Sequence, residues 1–414
     1  MRFHTFFLIL GLAAALISCR SSNNSAQLDP LEMVKTDVNY LASDSLEGRE
    51  TGTKGEELAA LYIASRFENL GLSPMGDSNT YFQFFKRKTR AHPHDTAFLG
   101  PEISGRNVVA FLDNNKENTI VIGAHYDHLG WGDQGSLHGS HEKAIHNGAD
   151  DNASGVAAML LLAAKTDLKA TNNNYLFIAF SGEEKGLWGS NYFVKNPTRS
   201  ISSINYMINM DMVGRLDSLK RLAIYGVGTS PSIIPALERI QNHGFTFSYD
   251  SSGVGPSDHT SFYLEDIPVI HFFTGQHAQY HKPTDDVQFI NFSGIVEVAD
   301  LISSLINQLN TEPKLTFQKT KDKENKGRNF KVTMGIIPDY LYTGKGLRID
   351  GVKEDRPASK AGLLKGDIVL KMGDQEIQTM TSYMEALGTF DKGQTIPVIV
   401  LRKGVEVRVG LTFE

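Results

Sequence analysis

Five short apolar runs, with helix-like stretches between them, set the pattern of this chain. They cover residues 107–112, 119–123, 175–180, 206–210 and 267–273. Runs of that length without polar alternation suit strands buried on both faces, as in a mainly parallel sheet. Residues 56–67 carry apolar side chains at helical spacing and stop at Gly71, and residues 156–164 and 295–309 read as further helices. Strands alternating with helices predict an α/β fold, a mainly parallel mixed sheet sandwiched by helices. In such sheets functional residues gather where strands end.

The alternation breaks over residues 311–328, which are charged, poor in large apolar side chains apart from Leu315 and Phe317, and predicted to be a linker. A second, small and strand-rich unit follows over residues 329–414. At the other end, Arg2 and His4 precede an apolar run over residues 6–17 that is too short to span a bilayer comfortably. It reads as an export signal over residues 1–18, with a small, polar tether over residues 19–30. The first large domain is then expected over residues 31–310.

Bulk properties narrow the picture slightly. A length of 414 residues suits two domains plus a targeting segment. With 41% hydrophobic and 21% charged residues there is ample material for a packed core. A net charge of −6 and the lack of a basic stripe argue against nucleic acid as a partner. Cys19 is the only cysteine, so no disulfide can form within the chain.

Candidate chemistry sits at or just beyond the ends of the apolar runs: His125 and Asp127, Asp150 and Asp151, Glu183 and Glu184, Asp211, and Tyr280 with His281. Imidazole and carboxylate donors together suit zinc, and a carboxylate can bridge two metals. One such residue carries little weight. Five sites in step with the strand pattern point to a metal centre. His128, His138, His141 and His146 crowd the Gly-rich stretch between the first two sites, and His271 and His277 read as core or loop residues. No ligand role is expected of His138, His141, His146, His271 or His277.

The words around the candidate residues are GAHYDH (123–128), NGADDNASG (147–155), FSGEEKG (180–186), NMDMVG (209–214) and YHKPTDD (280–286). Together they resemble the co-catalytic di-zinc aminopeptidase family, whose relatives include leucyl aminopeptidases, aminopeptidase Y and glutamate carboxypeptidases. The resemblance runs over about residues 31–309 and takes in LEGRETGT at 46–53. It implies two zinc ions per chain, with Asp151 bridging both, His125 and Asp211 completing one site, and Glu184 and His281 the other. It also implies Glu183 as general base and Asp127 as the group that holds the His125 imidazole in the right tautomer. Tyr280 is a candidate donor to the tetrahedral oxyanion. Ser257-Asp258-His259 with Phe262 also occurs in the family and reads as structural support for the pocket. Such a site suits amide hydrolysis. Zinc brings the pKa of water to around 7, and a positioned base is worth about 10²- to 10⁴-fold.

Two further resemblances concern the ends. Leu16-Ile17-Ser18-Cys19 resembles a bacterial lipobox, which implies export and a lipid anchor on Cys19 in a bacterial membrane of the cell envelope. Residues 356–369 (RPASKAGLLKGDIV) resemble the central signature of bacterial PDZ domains. Gly344, Gly346 and Leu347 then resemble the loop and strand that take a peptide C-terminus. The expectation is a lipid-anchored zinc aminopeptidase acting on peptides. A carboxypeptidase or a glutaminyl cyclase on the same scaffold stays open, as does a non-catalytic anchored binding protein that works through the PDZ-like unit. Cyclases of this fold use a single zinc, so the full donor set disfavours them. Retention of Glu183 and all five ligands speaks against a non-catalytic protein.

Overall fold

The structure, a computed structural model, describes residues 29–88, 100–138, 142–165, 168, 171–240, 244–312, 314–320, 332–338, 342, 344–352, 356–378 and 380–414. The expected export signal, Cys19 and most of the tether lie outside the described residues, as do His141 and residues 321–331. No helix among the described residues is long and apolar enough to cross a membrane.

Nine strands form one mixed sheet: β1 (Ser73–Pro74), β2 (Phe82–Lys88), β3 (Glu102–Leu112), β4 (Thr119–His125), β5 (Asn174–Phe180), β6 (Ile204–Met210), β7 (Arg221–Tyr225), β8 (Thr246–Tyr249) and β9 (Val269–Phe273). Their order is β1-β3-β5-β4-β6-β9-β7-β8, with β2 also on β3. The central four, β5-β4-β6-β9, run parallel, while β3 on β5 and β7 on β9 are antiparallel. Every residue of β4, β5 and β6 is buried. That double burial is why their sequences are near-continuous apolar runs.

Successive side chains of these strands feed two different cores, as the pleat requires. Ile120 and Ile122 enter one cluster with helices Pro30–Leu41, Lys54–Asn69, Gly155–Ala164 and Phe292–Leu309. Val121 enters the other, with Phe193 and Phe262. The last long helix shows the matching periodicity. Ile295, Val298, Ile302, Leu305, Ile306 and Leu309 are buried along one stripe, and the Asn291 side chain caps its start by accepting from the Gly294 N–H at 2.9 Å.

The stretch after that helix is not all linker. Leu315 is buried in the main core, and its N–H donates to Asn205 Oδ1 at 2.7 Å. Phe317 packs against Tyr263 with ring centroids 5.6 Å apart, and the Thr320 N–H donates to the Tyr263 hydroxyl at 3.1 Å. The two large apolar side chains of this charged stretch hold its first half on the sheet. Full burial of Leu315 is worth about 1.5–3 kcal/mol, and the partly buried Phe317 adds less.

From Val332 onward a separate core forms around Ile349, Val369, Val398, Val400 and Leu411. Its strands are β10 (Ile336–Pro338), β11 (Leu347–Val352), β12 (Ile368–Met372), β13 (Gln375–Glu376), β14 (Thr395–Arg402) and β15 (Val405–Thr412). They pair antiparallel in the order β10-β11-β12-β14-β15, with β13 on β12. The acidic residue of the GDIV word, Asp367, takes both arms of Arg402 at 2.8 and 2.7 Å and caps the Leu364 N–H at 2.9 Å.

Candidate active site

The candidate residues meet beyond the C-terminal ends of the parallel strands. His125 ends β4, Asp211 follows β6 directly, Glu183 and Glu184 follow β5, and Tyr280 and His281 lie in the loop after β9. Asp151 comes from the turn that precedes helix Gly155–Ala164, and its peptide bond to Asn152 is cis. Gly148 opens that turn with φ +56°; a Cβ there would run into the Asp151 carbonyl and the His128 ring.

Asp151 stands between two donor groups. Its Oδ1 is 3.3 Å from His125 Nε2, which is also 3.3 Å from Asp211 Oδ1. Its Oδ2 is 3.2 Å from His281 Nε2, which is also 3.2 Å from Glu184 Oε2. In both histidines Nδ1 meets a carbonyl, Asp127 O at 3.2 Å for His125 and Gly135 O at 3.0 Å for His281. A carbonyl only accepts, so Nδ1 carries a proton in both rings, and Nε2, which faces the carboxylates, is the nitrogen left to bind a metal. That is the tautomer a metal needs.

Asp127 works differently from the expectation. Its main-chain carbonyl, not its carboxylate, holds the His125 ring, and Oδ1 stays 3.7 Å away. The carboxylate instead accepts the Glu183 N–H at 3.1 Å and the Thr51 hydroxyl at 2.9 Å. It fixes the backbone of Glu183. Tyr280 stacks on His281, ring centroids 3.9 Å apart, and lines the same cleft as Asp151, Glu183 and Asp211. Met212, Tyr225 and Phe273 give this cleft an apolar wall.

Three supports were not expected from the chain alone. The Arg49 guanidinium is buried and donates to four carbonyls, those of Leu41, Tyr126, Asn147 and Gly148. Asp285 Oδ2 accepts the N–H groups of Asp150 and Asp151, each at 3.0 Å. His128 is buried and places Nδ1 2.8 Å from Glu184 Oε1. All three lie inside the family-like words, which was the available signal, but their partners are remote in the chain. Of the other histidines, His146 is tied to Ser136 and Ala144 within its loop, and His138 is exposed. His271 stacks on His259 in the core, and His277 lies 3.2 Å from Asp150.

The charge balance favours a cation. Among the described residues only histidines form ion pairs with Asp151, Asp211 and Glu184. Burial, together with Asp211, Glu184 and Asp258, pushes the Glu183 carboxyl well above its usual range against the pull of His125. Burial also pushes Asp258 up to about 7. Despite burial, His125 and His281 stand well above their ordinary value because carboxylates surround them. A buried pocket with surplus negative charge and converging imidazole and carboxylate donors fits divalent zinc.

The fold and site define a class, an α/β protein with carboxylate–histidine groups at the strand ends that could hold metal. Residues 107–306 match Peptidase family M28, and residues 300–412 match the PDZ domain. The helix ending at Leu309 nevertheless packs in the first core. Among curated relatives, the alkaline phosphatase isozyme conversion protein of Escherichia coli is 29% identical over 47% of this chain and 53% of its own length. A probable leucine aminopeptidase of Arthroderma otae is 25% identical over 50% of this chain and 58% of its own length. The chain thus spans little more than half of these relatives. Two solved structures show the same fold. An aminopeptidase of Aneurinibacillus has a TM-score of 0.52 at 19% identity, covering 70% of this chain and 95% of that one. The Porphyromonas gingivalis glutaminyl cyclase has a TM-score of 0.53 at 18% identity, covering 67% and 98%.

Proposed function

We propose that this chain is an exopeptidase that removes N-terminal residues from peptides with two zinc ions per chain. The observation that carries this reading is Asp151, whose two oxygens face separate donor sets at 3.2–3.3 Å. His125 and Asp211 would complete one site, Glu184 and His281 the other. Zinc bound there supplies Lewis acidity and an acidified water.

The chain's own residues do the rest. Glu183, its backbone held by Asp127, takes a proton from the attacking water and returns it to the leaving amine. Tyr280, set against His281 at the cleft, donates its hydroxyl to the oxygen that gains charge. The apolar wall of Met212, Tyr225 and Phe273 receives a side chain. The proposal also places the protein outside the cytoplasm on a Cys19 anchor, supported by the lipobox-like word at 16–19. The segment with Gly344, Gly346 and Leu347 would hold peptide C-termini, supported by the PDZ match.

A substrate panel tests the reading. Aminoacyl-amides and peptides with a free N-terminus should be hydrolysed, chelation should stop the reaction and zinc should restore it. Acetylating the N-terminus should abolish cleavage. Trimming of the acetylated peptide from its C-terminus would establish a carboxypeptidase instead. Cyclisation of N-terminal glutamine without hydrolysis would establish a cyclase.

A further inference from the structure

We propose that His128 is a fourth protein donor on the Glu184 side, which makes that metal site closed and the Asp211 side open. The inference rests on the two-zinc reading above. His128 Nδ1, a Glu184 carboxylate oxygen and Asp151 lie within 4.8 Å of one another there, and His281 Nε2 approaches the same two carboxylates. His128 Nδ1 lies 2.8 Å from Glu184 Oε1 and 3.9 Å from Asp151 Oδ2. His281 Nε2 lies 3.2 Å from both Glu184 Oε2 and Asp151 Oδ2. Donors about 2.0–2.1 Å from one tetrahedral zinc stand roughly 3.3 Å from each other. The four distances straddle that value. On the opposite side, among the described residues, His125, Asp151 and Asp211 form the donor group, with His125 Nε2 3.3 Å from both Asp151 Oδ1 and Asp211 Oδ1.

The local chain explains how His128 reaches the second site. It lies three residues beyond His125, so one strand exit sends an imidazole to each side of Asp151. Its ring is buried and sits edge-on to His281, centroids 5.8 Å apart. The His128 N–H is anchored on the Arg49 carbonyl at 3.3 Å, and the missing Cβ of Gly148 leaves room for the ring. Its Nε2 has no hydrogen-bond partner among the described residues, so Nδ1 alone carries the ring's polar contacts, and Nδ1 faces the carboxylates.

Closed four-donor zinc sites hold their metal as structural sites do, whereas three-donor sites keep a position open. The two ions should therefore leave in order, the Asp211-side ion first and the His128-side ion last. Zinc-loaded full-length protein is dialysed against increasing chelator, and the zinc left is read by elemental analysis. Release in two steps is expected, and X-ray absorption on the one-zinc form should find two imidazoles on the retained ion. His128→Asn puts an amide N–H near the place of Nδ1, so it can keep the bond to Glu184 while replacing the imidazole nitrogen by a weaker amide oxygen as the available donor. His128→Ala removes both. If His128 is a donor, both variants weaken the retained zinc by more than the roughly 10- to 100-fold typical of an outer hydrogen-bond partner. Wild-type retention in His128→Ala would overturn the assignment. Two zincs with one imidazole each in the unmutated protein would also overturn it, while leaving the two-zinc reading intact. An unmutated protein that takes up no zinc sinks both. The absorption measurement needs no variant, so misfolding of either substitution does not block the test.

Discussion

Glu183→Gln should separate the proton carrier from the metal donors. The change is nearly isosteric, and the bond from Asp127 to residue 183 is to the main-chain N–H, so it survives. None of the five expected donors is touched. Loss of a general base typically costs about 10²- to 10⁴-fold, which is roughly 3–5 kcal/mol on the barrier. Stability of the metal-free protein should move the other way. Burial and neighbouring carboxylates hold the folded-state pKa of Glu183 well above its ordinary 4.5. Between those two values the folded state binds the extra proton. Raising pH through that window therefore removes stability, and it is lost fully above the folded pKa. Glutamine has no charge to lose. The metal-free variant should match wild type near pH 4 and exceed it increasingly as pH rises. The checks are kcat/KM on an aminoacyl-amide, zinc content, and thermal unfolding of chelated protein across pH. Activity within about tenfold of wild type would refute the base assignment. Zinc loss, or a metal-free variant less stable than wild type at pH 8, would refute the geometry.

Three further outcomes follow from the same contacts. Glu184→Gln should lose zinc at one site while keeping the fold, read by elemental analysis against circular dichroism. Burial lowers the Arg49 pKa to about 10, so it stays charged at neutral pH while serving four carbonyls. A lysine ammonium cannot reproduce that fork; losing two charged hydrogen bonds costs about 3 kcal/mol. Arg49→Lys should therefore lower Tm by roughly 6–12 °C, and a shift under about 2 °C would contradict the bracing role. A chain ending after Thr320 should keep aminoacyl-amide hydrolysis, whereas one ending at Thr311 loses the buried Leu315 and should unfold more easily. If the PDZ-like unit tethers peptide tails, the longer truncated chain shows a raised KM for long peptides only; equal loss on all substrates removes tethering.

Much of the frame was legible because burial writes itself into local pattern. Strands β4, β5 and β6 are buried on both faces, so no polar alternation interrupts them. The edge strand β8 has no buried residue, and β2 buries polar Gln83 while exposing Phe84, so neither stands out from loop sequence. The candidate donors stood out for a chemical reason: few side chains suit zinc, and these fall where strands end. Tertiary structure decided what those side chains do to one another. Asp127 lies two residues from His125, yet its carboxylate turns to the Glu183 N–H, 56 residues away. Arg49 reaches carbonyls 77 to 99 residues away. His128 looked like one more polar-loop histidine until the β5 end brought Glu184 against it. Leu315 looked like part of a charged linker until a core surface was there to cover it. Local sequence records which face of an element avoids water. The partner of a particular oxygen or nitrogen depends on strand order and loop path, and these exist only once distant segments have packed.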